Sequence, residues 1–278
     1  MNIAEIFELE DLRFIEPSFA DITDSRFNAL LAHQNAREGR LLLDEAEEPL
    51  ALAFQGEDGS WTAGSFLCRN PSVALIDLFE SVNGEIFQEN RAVFAAAVRE
   101  YFSTVLITEV PPAIEDLNPA RRGILGTLIE NIWGSGSGET CVDCCCGSGV
   151  GSLVLRDLSY SPLSYDNDAS LLSRGLFTGR LLPAETMCIN AMVASEYVEP
   201  SPKGIGIMMG EINSFNQDMW EAIVRELFAA TKETLITVGT EPEARLVAQW
   251  GEEMGRTVDV KENPKDPIYD LWVCEAQS

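Results

Sequence analysis

Near the middle of the chain, acids and glycines are spaced in a way that could hold a ligand. Cys141-Val-Asp143-Cys-Cys145-Cys-Gly147-Ser-Gly149-Val-Gly151-Ser152 reads as a buried strand, a glycine turn and a helix start. Backbone N–H groups at such a helix start can face a ligand with no side chain between them. Asp166 follows Asp143 by 23 residues and closes a second strand in Leu163-Ser-Tyr165-Asp166. An acid at the tip of a neighbouring strand can accept two hydrogen bonds from a ribose diol lying across the sheet's carboxyl edge. The pair therefore points to a bound nucleoside.

Two nucleoside cofactors use turns of this type, the nicotinamide dinucleotides and S-adenosylmethionine, and three details separate them. The dinucleotide pattern G-x-G-x-x-G needs a third glycine at 152, where the chain has Ser152. Asp143, at the end of the first strand, would repel a pyrophosphate but not a sulfonium amino acid with its ammonium group. The C-terminal stretch, Thr257–Glu262 and Ile268–Glu275 about a turn at Asn263-Pro-Lys-Asp-Pro267, predicts a closing antiparallel hairpin, which a dinucleotide-binding half-domain does not normally carry.

From about residue 139 onward the chain resembles the class I S-adenosylmethionine-dependent methyltransferases, on the spacing of Asp143 and Asp166, the Cys146-Gly-Ser-Gly149 turn and the closing hairpin. The resemblance implies a doubly wound, Rossmann-like sheet with a C-terminal antiparallel hairpin and S-adenosylmethionine as cofactor. It gives Asp143, Gly147 and Gly149 to the methionine part, Asp166 to the ribose hydroxyls and Asn190 to the adenine amine. Cys145 belongs to the same cofactor loop and stands where the commonest form of the family has its first glycine. The subgroup with D-P-x-C-G-S-G lacks that glycine too, but its D/N-P-P-Y motif is absent: Met208-Met-Gly-Glu211-Ile-Asn213-Ser-Phe215 follows the fourth strand. Asp266-Pro-Ile-Tyr269 lies in the terminal turn and reads as structural. Glu211 and Asn213 are the acceptor-side candidates, with a solvated loop as the plainer reading of Glu211. The implied activity is methyl transfer to a small molecule or a protein side chain; a non-catalytic nucleoside-binding or scaffold protein of the same fold and an NAD(P)-dependent oxidoreductase are the alternatives.

Composition narrows the partners. Nineteen Lys and Arg against 45 Asp and Glu leave a net charge of −26 over 278 residues. The excess is even, with 9 basic and 23 acidic residues before residue 135 and 10 and 22 from there on. No basic face is available for counterion release, so nucleic acid is disfavoured. The N-terminus lacks a charged start followed by an apolar run, and eighteen apolar residues never run uninterrupted, which predicts a cytoplasmic protein without a membrane span.

Seven cysteines read as thiols. Strand alternation sends Cys144 and Cys146 to one face and Cys141 and Cys145 to the other, so the four do not converge on a metal. His33, the sole histidine, sits in a helical run beside Leu30 and Leu31, and Tyr160 and Tyr165 read as packing residues. Asp168 reads as the cap of a helix starting at Ala169.

The elements that must position the turn follow from periodicity. Strands at 140–146, 162–166, 186–189, 204–209 and 233–238 alternate with helices at 150–158, 169–181, 217–231 and 241–254, the signature of a parallel sheet covered on both faces. Before them, a mainly α-helical N-terminal domain is predicted over 1–118, ahead of the cofactor-binding domain over 119–278. It comprises a helix from a cap at Asp24 to Ala36, a small hairpin of 50–54 and 61–68, and helices at 72–81 and 90–106. A helix over 119–133 leads into the second domain.

Overall fold

The computed structural model describes residues 2–115 and 117–278. The chain divides into two compact units, Met1–Val105 and Leu106–Ser278, so residues 106–118 group with the second unit.

In the first unit, α1 (Ile3–Ile6) is closed by a capping box between Asn2 and Glu5. It is followed by β1 (Arg13–Phe14), α2 (Arg26–Ala32), β2 (Glu38–Leu43), β3 (Pro49–Gln55), β4 (Trp61–Ser65), α3 (Val73–Ser81), β5 (Glu85–Gln88) and the greater part of α4 (Arg91–Glu109). The strands form one sheet in the order β1-β4-β3-β2-β5. The predicted hairpin is β3–β4, paired antiparallel with Ala53 opposite Ala63. The expectation of a mainly helical domain is corrected here: β2 pairs antiparallel with β3 and parallel with β5, making a five-stranded mixed sheet. The helix expected to reach Ala36 stops at Ala32, because the chain must turn to enter β2. Leu31, Leu41, Leu52, Phe54, Phe66, Leu75 and Phe79 bury the helix faces against the sheet.

The second unit holds α5 (Arg121–Trp133), β6 (Thr140–Cys144), α6 (Val150–Asp157), β7 (Ser161–Asp166), α7 (Ala169–Phe177), β8 (Thr186–Cys188), β9 (Ser201–Gly206), α8 (Gln217–Ala230), β10 (Thr231–Val238), α9 (Glu241–Glu253), β11 (Thr257–Glu262) and β12 (Trp272–Gln277). Its sheet runs β11-β12-β10-β9-β6-β7-β8. Strands β6 to β10 pair parallel with their neighbours, and β12 runs antiparallel to both β10 and β11. The order reverses between β6 and β9, which leaves a crevice at the carboxyl ends of those two strands. Leu125, Ile129, Val154, Ile205, Leu235 and Val273 form one buried cluster along the sheet. The fourth strand begins at Ser201, three residues before the predicted start. There Gly204 lets the strand pass Thr231: a Cβ at 204 would lie 2.5 Å from Thr231 Cγ2.

The first unit also buries an ion pair, Glu16 with Arg69, whose side chains are 0% and 4% exposed. Burial raises the Glu16 pKa even though Arg69 lowers it. Breaking such a pair strands a buried charge, so Arg69→Met is expected to cost about 3–5 kcal/mol. Urea unfolding of the full chain checks this, and a loss under about 1 kcal/mol contradicts it.

Candidate functional site

The turn between β6 and α6 is built from left-handed backbone. Cys145 has φ +54°, Gly147 +52° and Gly149 +82°. Only glycine takes such angles freely, and Cys145 is the non-glycine residue among the three. Cys146 N–H donates to the Tyr165 carbonyl (3.1 Å) and Gly149 N–H to the Cys146 carbonyl (2.9 Å), which ties the turn to β7 and closes it on itself. Cys145, Cys146 and Gly147 remain half-buried, whereas Ser148 and Gly149 are buried.

The three glycines do different work. A Cβ at Gly147 would meet nothing nearer than Leu171 Cδ1 at 3.9 Å, so this position is open. A Cβ at Gly149 would lie 2.5 Å from Leu181 Cγ, and one at Gly151 would lie 2.9 Å from both Asp143 Oδ2 and Ile205 Cδ1. Gly149 therefore serves close packing, and Gly151 makes room for the Asp143 carboxylate.

Asp143 lies beneath the start of α6, 1% exposed. Ser152 Oγ donates to its Oδ2 (2.5 Å), and Ser152 and Ser164 share a hydrogen bond of 2.7 Å. Burial pushes the Asp143 pKa from the ordinary 3.8 to about 7, against the pull of Ser152. Asp166 ends β7 and receives Gly147 N–H on Oδ2 (2.9 Å) and Asp168 N–H on Oδ1 (2.8 Å). Burial raises its pKa as well. Asp168 caps α7 through the N–H groups of Ser170 and Leu171, as the sequence predicts. Asn190 stands exposed after β8, where its side chain accepts from Met192 N–H (3.0 Å) and caps the short 3-10 helix Ala191–Glu196.

Asp143, Cys145, Gly147, Gly149 and Asp166 thus come together at one strand-to-helix turn, and Asn190 follows β8, the strand that pairs with β7. Glu211 and Asn213 are exposed in the connection after β9. Cys144 Sγ and Cys145 Sγ are 3.8 Å apart, and burial raises the thiol pKa of Cys146. His33 ends α2 on the surface, and Asp266 closes the terminal turn through Ile268 and Tyr269 N–H.

Spacing reads Ser152 only as the missing third glycine of a dinucleotide turn and gives Gly151, Glu115 and Arg180 no role. Ser152 and Gly151 fix Asp143, and their place just after the turn was the available signal. Glu115 accepts from Ser148 Oγ and pairs with Arg180, whose Nε donates to the Ser148 carbonyl (2.8 Å). Those contacts span 33 and 32 residues and leave no local pattern.

With β6 counted as the first strand, the sheet reads 3-2-1-4-5-7-6 with the seventh strand reversed. The second unit is thus a doubly wound, Rossmann-like sheet closed by a C-terminal antiparallel hairpin, as the sequence predicts. Solved structures similar to this chain include the precorrin-6y C5,15-methyltransferase of Geobacter metallireducens (11% identity, TM-score 0.44, 62% of this chain and 96% of that one). The magnesium protoporphyrin IX methyltransferase of Synechocystis, solved with bound SAM, is similar at 11% identity and TM-score 0.44, over 66% of this chain and 97% of that one. The ribosomal protein L11 methylase of Lactobacillus delbrueckii matches at 14% and 0.43, over 60% and 81%. No family model matches the chain, and no curated protein does.

Two outcomes are expected. The folded chain holds the Asp143 proton between about pH 4 and 7, where the unfolded chain releases it, so this group makes stability fall as pH rises through that window and contributes no slope above it. Asp143→Asn removes that part of the slope and is more stable than the parent above pH 7, by on the order of a few kcal/mol. Denaturant midpoints of both proteins from pH 4 to 8 check this; parallel profiles contradict it. Gly149→Ala meets Leu181 and is expected to cost about 2–4 kcal/mol, against about 1 kcal/mol for Gly147→Ala. The reverse order of the two losses contradicts the packing assigned to them.

Proposed function

We propose that the chain is an S-adenosylmethionine-dependent methyltransferase acting on a small molecule or a protein side chain. One observation carries this reading: the half-buried, left-handed turn Cys145–Gly147 stands beside the Asp166 carboxylate at the carboxyl edge of a sheet with a reversed seventh strand. The open side of Gly147 fits a ligand lying against the turn, with main-chain amides available to its amino-acid end. Asp166 is already oriented by Gly147 and Asp168 N–H, and each carboxylate oxygen keeps a second lone pair for a ribose hydroxyl. Asn190 is exposed after β8, and its side-chain NH2 is not engaged by the cap, which uses Oδ1. Asp143 acts from below, holding the start of α6 through Ser152.

The cofactor supplies an electrophilic methyl group on a sulfonium. The chain's residues align donor and acceptor and exclude water, which is the main demand of an in-line displacement. The reversed β12 argues against the dinucleotide alternative.

Calorimetry with S-adenosylmethionine, S-adenosylhomocysteine and NAD tests the assignment. Binding of the first two and not of NAD is expected; heat with NAD alone overturns it. Asp166→Ala is expected to weaken S-adenosylhomocysteine binding by about 1.5–3 kcal/mol, the scale of hydrogen bonds lost to a charged group. An unchanged affinity in the folded variant removes Asp166 from the site. Incubation with labelled methyl donor and cell extract separates an enzyme from a scaffold, since a scaffold labels no product.

A further inference from the structure

The turn over residues 145–149 and the Asp166 carboxylate are joined directly by Gly147 N–H, and a second time by a longer route around the outside of the site. Asp166 Oδ1 accepts from Asp168 N–H (2.8 Å), and Asp168 caps α7. The stretch 110–115, which precedes α5, is bonded to α7 twice. Ala113 N–H donates to the Ser170 carbonyl (3.0 Å), and Ser173 Oγ donates to the Val110 carbonyl (2.7 Å). Glu115, at the end of that stretch, accepts from Ser148 Oγ and so leads back to the turn. Arg180, in the connection after α7, pairs with Glu115 and donates from Nε to the Ser148 carbonyl (2.8 Å). Gly175 leaves room for that carbonyl, since a Cβ there would lie 2.8 Å from it.

The circuit closes on one planar peptide unit. Its carbonyl, of Ser148, is held by Arg180, and its N–H, of Gly149, by the Cys146 carbonyl (2.9 Å), so the plane cannot rotate without breaking one of the two bonds. The Glu115 and Arg180 side chains are 16% and 14% exposed, where an ion pair is screened less than at the surface. Glu115 Oε2 is also 3.9 Å from Arg174 Nε, a buried donor with no hydrogen bond. Without the carboxylate the two guanidiniums that share it repel, and Arg180 is drawn off the Ser148 carbonyl. We infer that Glu115 and Arg180 are positioning residues for the methyl donor. Through Ser148 they hold the turn at a fixed separation from Asp166, so that its amides and that carboxylate fit one ligand with little ordering left to do on binding. The inference rests on the methyltransferase reading above.

The test uses the full chain, S-adenosylhomocysteine and two variants. Glu115→Gln keeps an acceptor for Ser148 Oγ but removes the charge that holds Arg180. Arg180→Lys keeps a charge for Glu115 but cannot serve both Glu115 and the Ser148 carbonyl from a planar fork. Calorimetry is expected to show each variant binding about tenfold more weakly, the scale of one hydrogen bond to a charged group. The double variant is expected to bind no more weakly than either alone, because both act on the same peptide unit. Hydrogen exchange at the Gly149 amide, read without ligand, is expected to quicken in both variants while β3 and β4 keep the parent rate. An ion pair with a merely structural role is restored by Arg180→Lys, so parent affinity in that variant overturns the inference. Unchanged Gly149 exchange, or losses that add in the double variant, overturns it too. If the parent does not bind S-adenosylhomocysteine, the methyltransferase reading fails and the positioning role with it; if the parent binds and the variants match it, the positioning role alone fails.

Discussion

The geometry of the second unit depends on one reversal. A strand buried on both faces must become a helix within five residues, Cys145 to Gly149, and three of those five residues adopt left-handed backbone angles. Left-handed residues turn the N–H groups of consecutive peptides to one side, which is what makes such a turn a cradle for anionic or polar groups. The turn is held from three directions: Tyr165 carbonyl and Asp166 carboxylate from β7, Glu115 and Arg180 on Ser148, and Leu181 against Gly149. Cys145 sits at a left-handed angle that its Cβ disfavours, and such conformations persist only where the surroundings over-determine them.

Beneath the turn, the buried Asp143 couples folding to the site. Its carboxylate costs desolvation, which is why its pKa rises, and Ser152, Ser164 and the missing Cβ of Gly151 accommodate it. An apolar side chain in its place would avoid that cost. What Asp143 gives in return is position, since Ser152 in the first turn of α6 is tied to the end of β6.

Much of this was legible in the sequence, and the missing parts share a cause. Alternating strands and helices, the turn glycines, the Asp143 to Asp166 spacing, the Asp168 cap and the closing hairpin are all local patterns, and the sequence read alone recovers them. The N-terminal sheet was hidden because β2 (Glu-Gly-Arg-Leu-Leu-Leu) does not alternate cleanly and the four-residue β5 is largely exposed, so each is a strand only through its pairing. Glu115 reaches Ser148 from 33 residues away, and nothing in either neighbourhood announces it. The depth of Asp143 was equally hidden: spacing puts an acid at the strand end, but only packing says that Gly151 and Ser152 cover it.

Amide NMR during a titration with S-adenosylhomocysteine tests the central claim most directly. The largest shifts are expected on Cys145, Cys146 and Gly147, with companions at Asp166, Asn167 and Asn190, while the first unit's β3 and β4 stay still. A spectrum that does not change, or one whose shifts gather away from the β6–α6 turn, would contradict it.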